Sequence, residues 1–365
     1  MKKVLFITPN NIADSSNGGN VVSKRNLSIL QKVCGCSNVK YVQLLERKDG
    51  STPVANVVDR LKGFFAGLTS NVLNEIVTES GCYDVVFLDT SLYGNLASAL
   101  KKRGYGGRVI TFYHNIEYVF YRNVNKAIRL TYPLSLYPVR MVERKAAKYS
   151  DLNITLNERD AFKLYEYYGV VSDLQLPVSL NGGTMSDVGS THVAGTPLHI
   201  LFFGSAFFAN IHGIKWFLEN VMPYVDATLT IAGKGMDSLG KFVAALKLKN
   251  VSLHGYVDDV DALYGKADIV VLPIFEGSGM KVKTCEALKY GKVVLGTKEA
   301  LTGYERTADI YSCNTRGEFI SCLTELRKKK FRTFSKSNRQ LFCTCYKTDV
   351  MARRLETWLN TDAGQ

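Results

Sequence analysis

No apolar run in this sequence reaches the roughly eighteen residues that a helix needs to cross a bilayer. A chain that spans a membrane through helices is therefore not expected. The eight cysteines, at 34, 36, 82, 285, 313, 322, 343 and 345, contain no CxxC pair. The two C-x-C pairs have no histidine at zinc-site spacing, which argues against a zinc module and for reduced, buried or idle thiols. No basic stripe interleaves with a recognisable nucleic-acid module, so nucleic acid is not an expected partner. No short internal repeat occurs. Met1-Lys-Lys-Val-Leu-Phe-Ile-Thr-Pro9 has a charged start. Its apolar part is too short for a signal-peptide core, and it reads as a first buried strand. The expected location is the cytoplasm.

What is present is ordinary in bulk and unusual in charge. The chain has 365 residues, with 46% hydrophobic and 22% charged. That length exceeds the size at which single cores stop growing, so two domains are expected. The net charge is +13. Phosphate-bearing substrates or an anionic membrane surface account for it better than nucleic acid does.

Strands and helices alternate. Val4 to Thr8, Val39 to Leu45, Asp84 to Asp89, Arg108 to Tyr113 and Leu152 to Leu156 read as strands. Between them, helical spacing appears from Val22 to Val33, from Val57 to Val77, from Leu92 to Leu100 and from Val139 to Ala147. Asn157 is a candidate cap for the helix that follows. Asn181 to Pro197 is rich in Gly, Ser and Thr and reads as a linker. Alternation resumes with strands at Leu198 to Phe203, Ala227 to Gly233, Val251 to Tyr256, Asp268 to Pro273 and Lys292 to Thr297. Helices are expected at Ile214 to Val221, Val260 to Lys266 and Lys283 to Tyr290, the last closed by Gly291. Strands apolar on both faces, alternating with helices, imply parallel sheets and an α/β class. The predicted divisions are a first domain over 1–180, a linker over 181–197 and a second domain over 198–345. A C-terminal helix over 346–365 has the option of packing back on the first domain.

Ligands of open α/β sheets bind beyond the carboxyl ends of the strands. The loop after Leu272 fits that place: Glu276-Gly277-Ser278-Gly279-Met280-Lys281-Val282-Lys283-Thr284-Cys285-Glu286. Its glycines let backbone approach a ligand, and the following helix offers unsatisfied N–H groups to an anion. Lys281 and Lys283 add charge suited to a diphosphate. Glu286 can accept hydrogen bonds from vicinal ribose hydroxyls. The alternative is a glycine-rich turn with solvated lysines.

This segment resembles the donor site of retaining GT-B glycosyltransferases, family four in the usual sugar-enzyme classification. The GSG-x-K-x-K-x-x-E-A form is similar to one branch of that family. The common form has two glutamates at a fixed spacing; here the position of the first is Ser278, and Glu276 lies two residues earlier. Gly204, Ser205 and Asn210, in Phe203-Gly-Ser-Ala-Phe-Phe-Ala-Asn210, resemble the family pattern that opens the second domain. Asn210 is equally a helix cap. Tyr256 and Val257 resemble the loop whose backbone holds the base, with His254 beside them a structural residue. In the first half, Gly18 and Gly19 resemble the glycine loop that opens onto diphosphate and acceptor. His114, Asn115 and Glu117 resemble an H-N-x-E motif whose histidine supports the donor sugar. Glu143 to Asp151 and Asn157 to Asp160 read as scaffold.

The resemblance implies two Rossmann-like domains facing each other across a cleft. It implies transfer of a hexose or related sugar from a nucleoside-diphosphate sugar to an acceptor hydroxyl, with retention and without a metal or other cofactor. Helix amides and lysines would stabilise the departing diphosphate, and domain closure would exclude water. Asp258, Asp259 and Asp261 read as a helix-capping cluster, not a metal site. The acceptor would be a saccharide or lipid-linked saccharide in bacterial surface-polysaccharide assembly (O-antigen, capsule or lipopolysaccharide). Aromatic and basic residues are mixed between Tyr118 and Lys148: Tyr118, Phe120, Tyr121, Arg122, Lys126, Arg129, Tyr132, Tyr137, Arg140, Arg144, Lys145 and Lys148. With Phe64 and Phe65, they offer a peripheral contact to the inner face of the plasma membrane; a solvated basic face with core aromatics is the alternative. Two other classes fit the same fold: a sugar-nucleotide epimerase with Glu117 or Glu276 as base, and a non-catalytic nucleotide-binding subunit.

Overall fold

A computed structural model describes residues 1–14, 17–45, 58–127, 133–183 and 190–360. Arg129 and Tyr132, the first residue of the Val57–Val77 segment, residues 184–189 of the linker segment, the side chain of Lys126 and the end of the chain beyond 360 lie outside the described residues. The chain divides into two compact units, Met1–Pro177 with Met351–Gln365, and Val178–Val350.

The first unit has strands β1 (Val4–Thr8), β2 (Val39–Gln43), β3 (Val85–Leu88), β4 (Arg108–Tyr113), β5 (Leu152–Thr155) and β6 (Leu174–Gln175). They form one six-stranded sheet in the order β2-β1-β3-β4-β5-β6, and every pairing is parallel. Residues of β1, β3 and β5 are buried throughout, as strands covered on both faces must be. Helices α1 (Gly18–Cys34), α2 (Ser70–Ser80), α3 (Gly94–Lys102), α4 (Glu117–Ala127), α5 (Pro133–Tyr149) and α6 (Glu158–Tyr168) connect them. Asn157 caps α6: its Oδ1 accepts from the Asp160 N–H at 3.1 Å.

The helical spacing from Val57 to Val77 does not give one helix. Gly63, Ala66 and Gly67 take positive φ values of 80°, 53° and 79°, which ends right-handed helix. A helical turn at 58–61 stops there and α2 begins at Ser70; between them Phe65 and Leu68 fold inward and are buried. This also corrects the membrane reading of Phe64 and Phe65. Phe65 is 5% exposed, and Phe64 packs on the core of Leu5, Leu88 and Leu96. Neither ring is offered to a lipid.

The second unit has β7 (Thr191–His192), β8 (Leu198–Phe203), β9 (Ala227–Ala232), β10 (Val251–His254), β11 (Ile269–Leu272), β12 (Val293–Gly296), β13 (Ile310–Ser312) and β14 (Phe331–Arg332). Six of them form a sheet in the order β10-β9-β8-β11-β12-β13, parallel at every pair. β7, inside the segment read as a linker, pairs antiparallel with β14. The helices are α7 (Phe208–Asn220), α8 (Gly240–Ala245), α9 (Val260–Lys266), α10 (Val282–Lys289), α11 (Arg316–Lys328) and α12 (Lys336–Leu341); the last helix, α13 (Thr348–Asn360), belongs from Met351 onward to the first unit. Gly291, just past α10, sits in the left-handed region at φ 59°. β8 lies third of six in its sheet, while β1 lies second in its own, next to the edge strand β2. Among the described residues, no helix is long and apolar enough to cross a membrane.

Candidate functional site

In the second unit, the loops that leave β8, β9 and β10 are tied in a row. Gly204 N–H donates to Ala232 O at 2.9 Å, Ala206 N–H to Lys234 O at 2.9 Å, and Gly233 N–H to Gly255 O at 3.0 Å. Side chains from α7 and α10 converge on the first of these loops. Lys283 Nζ donates to Asn210 Oδ1, and Asn210 Nδ2 donates to Ser205 O at 2.7 Å. A Cβ on Gly204 would stand 3.0 Å from Lys283 Cε and 3.3 Å from Asn210 Nδ2. Glycine is what lets the lysine lie against the loop. The capping reading of Asn210 is not what the side chain does: α7 is entered at Phe207 with no side-chain cap, and Asn210 instead links loop and lysine.

Lys283 and Glu286 are spaced to share a helix side and are both partly buried. Burial lowers the Lys283 ammonium to about 8, against the opposing pull of Glu286. Burial raises the Glu286 carboxyl, and Lys283 and Lys289 hold it down in part. The Glu286 carboxylate accepts no hydrogen bond among the described residues. Beside it, Tyr264 is fully buried and stacks on Tyr290, with ring centroids 4.0 Å apart and 9° between planes. The Tyr290 hydroxyl donates to Asp261 at 2.6 Å, and the Tyr264 hydroxyl has no partner among the described residues. A carboxylate sunk into such a wall without donors is placed for a ligand that brings its own hydroxyls.

The rest of the loop divides by role. Gly277 and Gly279 take φ of 136° and 61°. No side chain among the described residues caps α10, whose preceding residue is Lys281; the Thr284 N–H turns back to Lys281 O at 3.0 Å, and the N–H groups of Val282 and Lys283 are those left for an anion. Lys281 is engaged differently from Lys283. Its Nζ lies 2.7 Å from Glu299 and donates to the Ser278 and Gly279 carbonyls at 3.1 and 3.0 Å, fixing the turn. Met280 is buried in the core. Glu276 points to His212, Nδ1 to Oε1 2.6 Å, in a largely exposed pair. Glu276 is thereby tied to α7, which carries His212. Tyr256 is exposed, with Val257 after it on the loop leaving β10. Asp259 caps α9 through the Ala262 N–H at 2.8 Å, as a capping cluster requires.

The first unit gathers a second cluster at the carboxyl ends of β1, β3 and β4. Gly18 and Gly19 open α1, which Asn17 caps from Oδ1 to the Asn20 N–H at 2.8 Å. His114, just past β4, puts Nε2 3.3 Å from Asp89 Oδ1 and 3.0 Å from Asp89 O. Asp89 is fully buried. It also accepts from Thr8 Oγ1 at 2.7 Å, Asn26 Nδ2 at 2.7 Å and Ser23 Oγ. Asn115 Nδ2 donates to Glu117 Oε1 at 2.6 Å. Glu143, buried on α5, accepts from the Glu117 and Tyr118 N–H groups, Ser91 Oγ and the Tyr168 hydroxyl; it caps α4. Burial first, and then Glu143, push the Glu117 carboxyl up to about 7. The sequence reading did not single out Asp89. The available signal was its position directly after a buried strand, the same cue that marked His114.

Residues 197–314 match the family model of glycosyl transferases group 1. That stretch contains Gly204, Asn210, Lys283 and Glu286. No curated protein resembles the chain closely enough in sequence to count as a match. Among solved structures, HepE from Anabaena in complex with UDP is 12% identical, with a TM-score of 0.67, covering 98% of this chain and 100% of that one. A lipopolysaccharide outer core galactosyltransferase, WaaB, is 12% identical with a TM-score of 0.62, covering 98% and 99%. A glycosyltransferase from Rickettsia africae is 12% identical with a TM-score of 0.63, covering 99% and 100%. The fold is that of the GT-B glycosyltransferases.

Proposed function

We propose that this chain is a glycosyltransferase that moves a hexose or related sugar from a nucleoside-diphosphate sugar to an acceptor hydroxyl, with retention. The observation that carries this reading is one coincidence. The stretch that matches glycosyl transferases group 1 is also the stretch in which an unpartnered, partly buried Glu286 lies on one helix with a partly desolvated Lys283.

In this reading the Glu286 carboxylate accepts both hydroxyls of the ribose. Lys283 and the uncapped start of α10 take the diphosphate. Charge accumulates on that diphosphate as the glycosidic bond breaks, so a preorganised cation and N–H groups stabilise the transition state more than the ground state. Asn210 positions the lysine. His114 takes the sugar-side role that the resemblance implies. The bound UDP of HepE and the lipopolysaccharide role of WaaB make a uridine nucleotide and a surface-polysaccharide acceptor, free or lipid-linked, the first to test. An epimerase would need a carboxylate base beside the sugar; Glu276, one of its two candidates, is paired with His212.

A thermal-shift panel of nucleoside diphosphates and nucleotide sugars tests the donor, because a ligand of the native state raises the transition. Transfer assays on Glu286→Ala and Lys283→Ala test the site. Full transfer activity in both variants would remove the assignment.

A further inference from the structure

Helix α7 carries Phe208, His212 and Trp216 four residues apart, so the three stand on one side of it. Asn210, which links Lys283 to the loop leaving β8, points from the opposite side. Gly213 lets the helix lie against the chain leaving β11: a Cβ there would run into the Pro273 carbonyl. That approach sets Phe275 and Glu276 beside the first three. Trp216 meets Phe275 edge to face, with centroids 4.6 Å apart, and His212 Nδ1 lies 2.6 Å from Glu276 Oε1. At the start of the helix the Phe207 and Phe208 rings are 4.4 Å apart. The six side chains form a continuous strip along α7, aromatic at both ends and polar in the middle.

The strip is open to water. Phe207 is 50% and Phe208 48% exposed, and the side chains of His212 and Glu276 are 65% and 44% exposed. Apolar groups scattered singly need no partner, but rings left open as a group mark a contact surface. The polar pair decides the chemistry of that contact. Glu276 Oε2 and His212 Nε2 have no further partner among the described residues. A hydrocarbon would strip water from both and return no hydrogen bond. A saccharide lays its C–H faces on the rings and brings hydroxyls to the carboxylate and the imidazole. From Phe208 to Trp216 the helix rises about 12 Å, enough for roughly two or three sugar rings.

We propose that this strip seats the saccharide chain of the acceptor, with Phe207 and Phe208 as stacking platforms and the His212–Glu276 pair as the partner of its hydroxyls. The acceptor role rests on the transfer reading; saccharide binding itself does not.

An array of uncharged hexose, deoxyhexose and N-acetylhexosamine oligosaccharides, two to four sugars long, tests it on the full chain. At least one glycan should bind. F208A and H212A should each weaken that binding about tenfold, and F208W, which keeps a ring, should stay within about twofold of the parent. Thermal shifts with nucleoside diphosphates should be equal in the parent, F208A and H212A. A parent that shows no nucleotide shift yet binds glycan through Phe208 and His212 would remove the transfer reading and keep the saccharide site. A parent that binds no glycan on the array overturns the inference. So does an octyl chain without a sugar that binds as well as the glycans, or a dimer that F208A dissolves while no glycan binds. A loss of nucleotide shift in F208A as large as its loss of glycan would assign the strip to the donor and overturn it too.

Discussion

His114 Nε2 lies 3.0 Å from the backbone oxygen of Asp89 and 3.3 Å from its carboxylate. Both neighbours are acceptors, so Nε2 carries a hydrogen and Nδ1 is the nitrogen left for other work. The aspartate is held in turn by Thr8, Ser23 and Asn26, from β1 and α1. Three separate segments therefore fix one imidazole.

Asp89→Asn should loosen that imidazole while keeping shape. Its amide places a donor where two hydroxyls now donate, at a stability cost of about 1–3 kcal/mol for the mismatched buried group. Transfer should fall roughly 10- to 100-fold, the usual range for a group that orients another. Nucleotide affinity, which rests on the second unit, should hold. Steady-state transfer and calorimetry on one preparation separate the two, and equal loss in both would show a merely structural aspartate.

Diphosphate binding should weaken on the alkaline side through Lys283. Its ammonium is depressed to about 8 by burial, so the cation that an anionic ligand needs is lost as pH rises through that value. Affinity for a nucleoside diphosphate should be level below it and fall up to tenfold per pH unit above it. Lys283→Met should bind weakly at every pH with no such bend. In stability the sign is opposite. A lysine with a lowered native pKa binds fewer protons folded than unfolded between about 8 and its usual 10.5, so this group favours folding as pH rises across that window. Calorimetry from neutral to alkaline pH reads the first effect, and denaturant midpoints read the second.

Glu117 gives a prediction on the acid side. Its carboxyl is raised from 4.5 to about 7 by burial and by Glu143. The unfolded chain releases that proton first, so the group costs stability as pH rises from about 4.5 to 7. Glu117→Gln keeps an acceptor for Asn115 and removes the buried charge. Melting temperature should rise by a few degrees at neutral to alkaline pH, and the gain should vanish below the unfolded carboxyl range. A constant offset at all pH values would mean that packing, not ionisation, sets the difference.

Much of this was legible because it is local. β3 and β11 are continuous apolar runs, and a strand covered on both faces has no other reading. The cap at Asn157, the stop at Gly291 and the loop from Glu276 to Glu286 also show themselves within a few neighbouring residues. The misses are non-local. Asp89 looks like any strand-end acid until Thr8, Ser23 and Asn26 are brought to it from the start of the chain. Phe64 and Phe65 look like surface aromatics until three positive-φ residues turn them inward. Lys281 and Lys283 are indistinguishable as letters; Glu299, eighteen residues from Lys281, takes that lysine for the turn and leaves Lys283 for the proposed diphosphate.

Gly204 offers the sharpest test of the lysine assignment, because a single methyl group acts on it without touching charge. In Gly204→Ala the new Cβ would press on Lys283 Cε at 3.0 Å and on Asn210 Nδ2 at 3.3 Å. Those are ends of flexible side chains, so the fold can yield by moving them. Melting temperature should change by no more than about 2–4 °C, the shift that roughly 1 kcal/mol produces in a chain of this size. Nucleoside-diphosphate affinity should fall about tenfold, or roughly 1.4 kcal/mol, as the ammonium leaves the loop. A Gly204→Ala variant that binds nucleotide as tightly as the parent would place the diphosphate elsewhere than between this loop and α10.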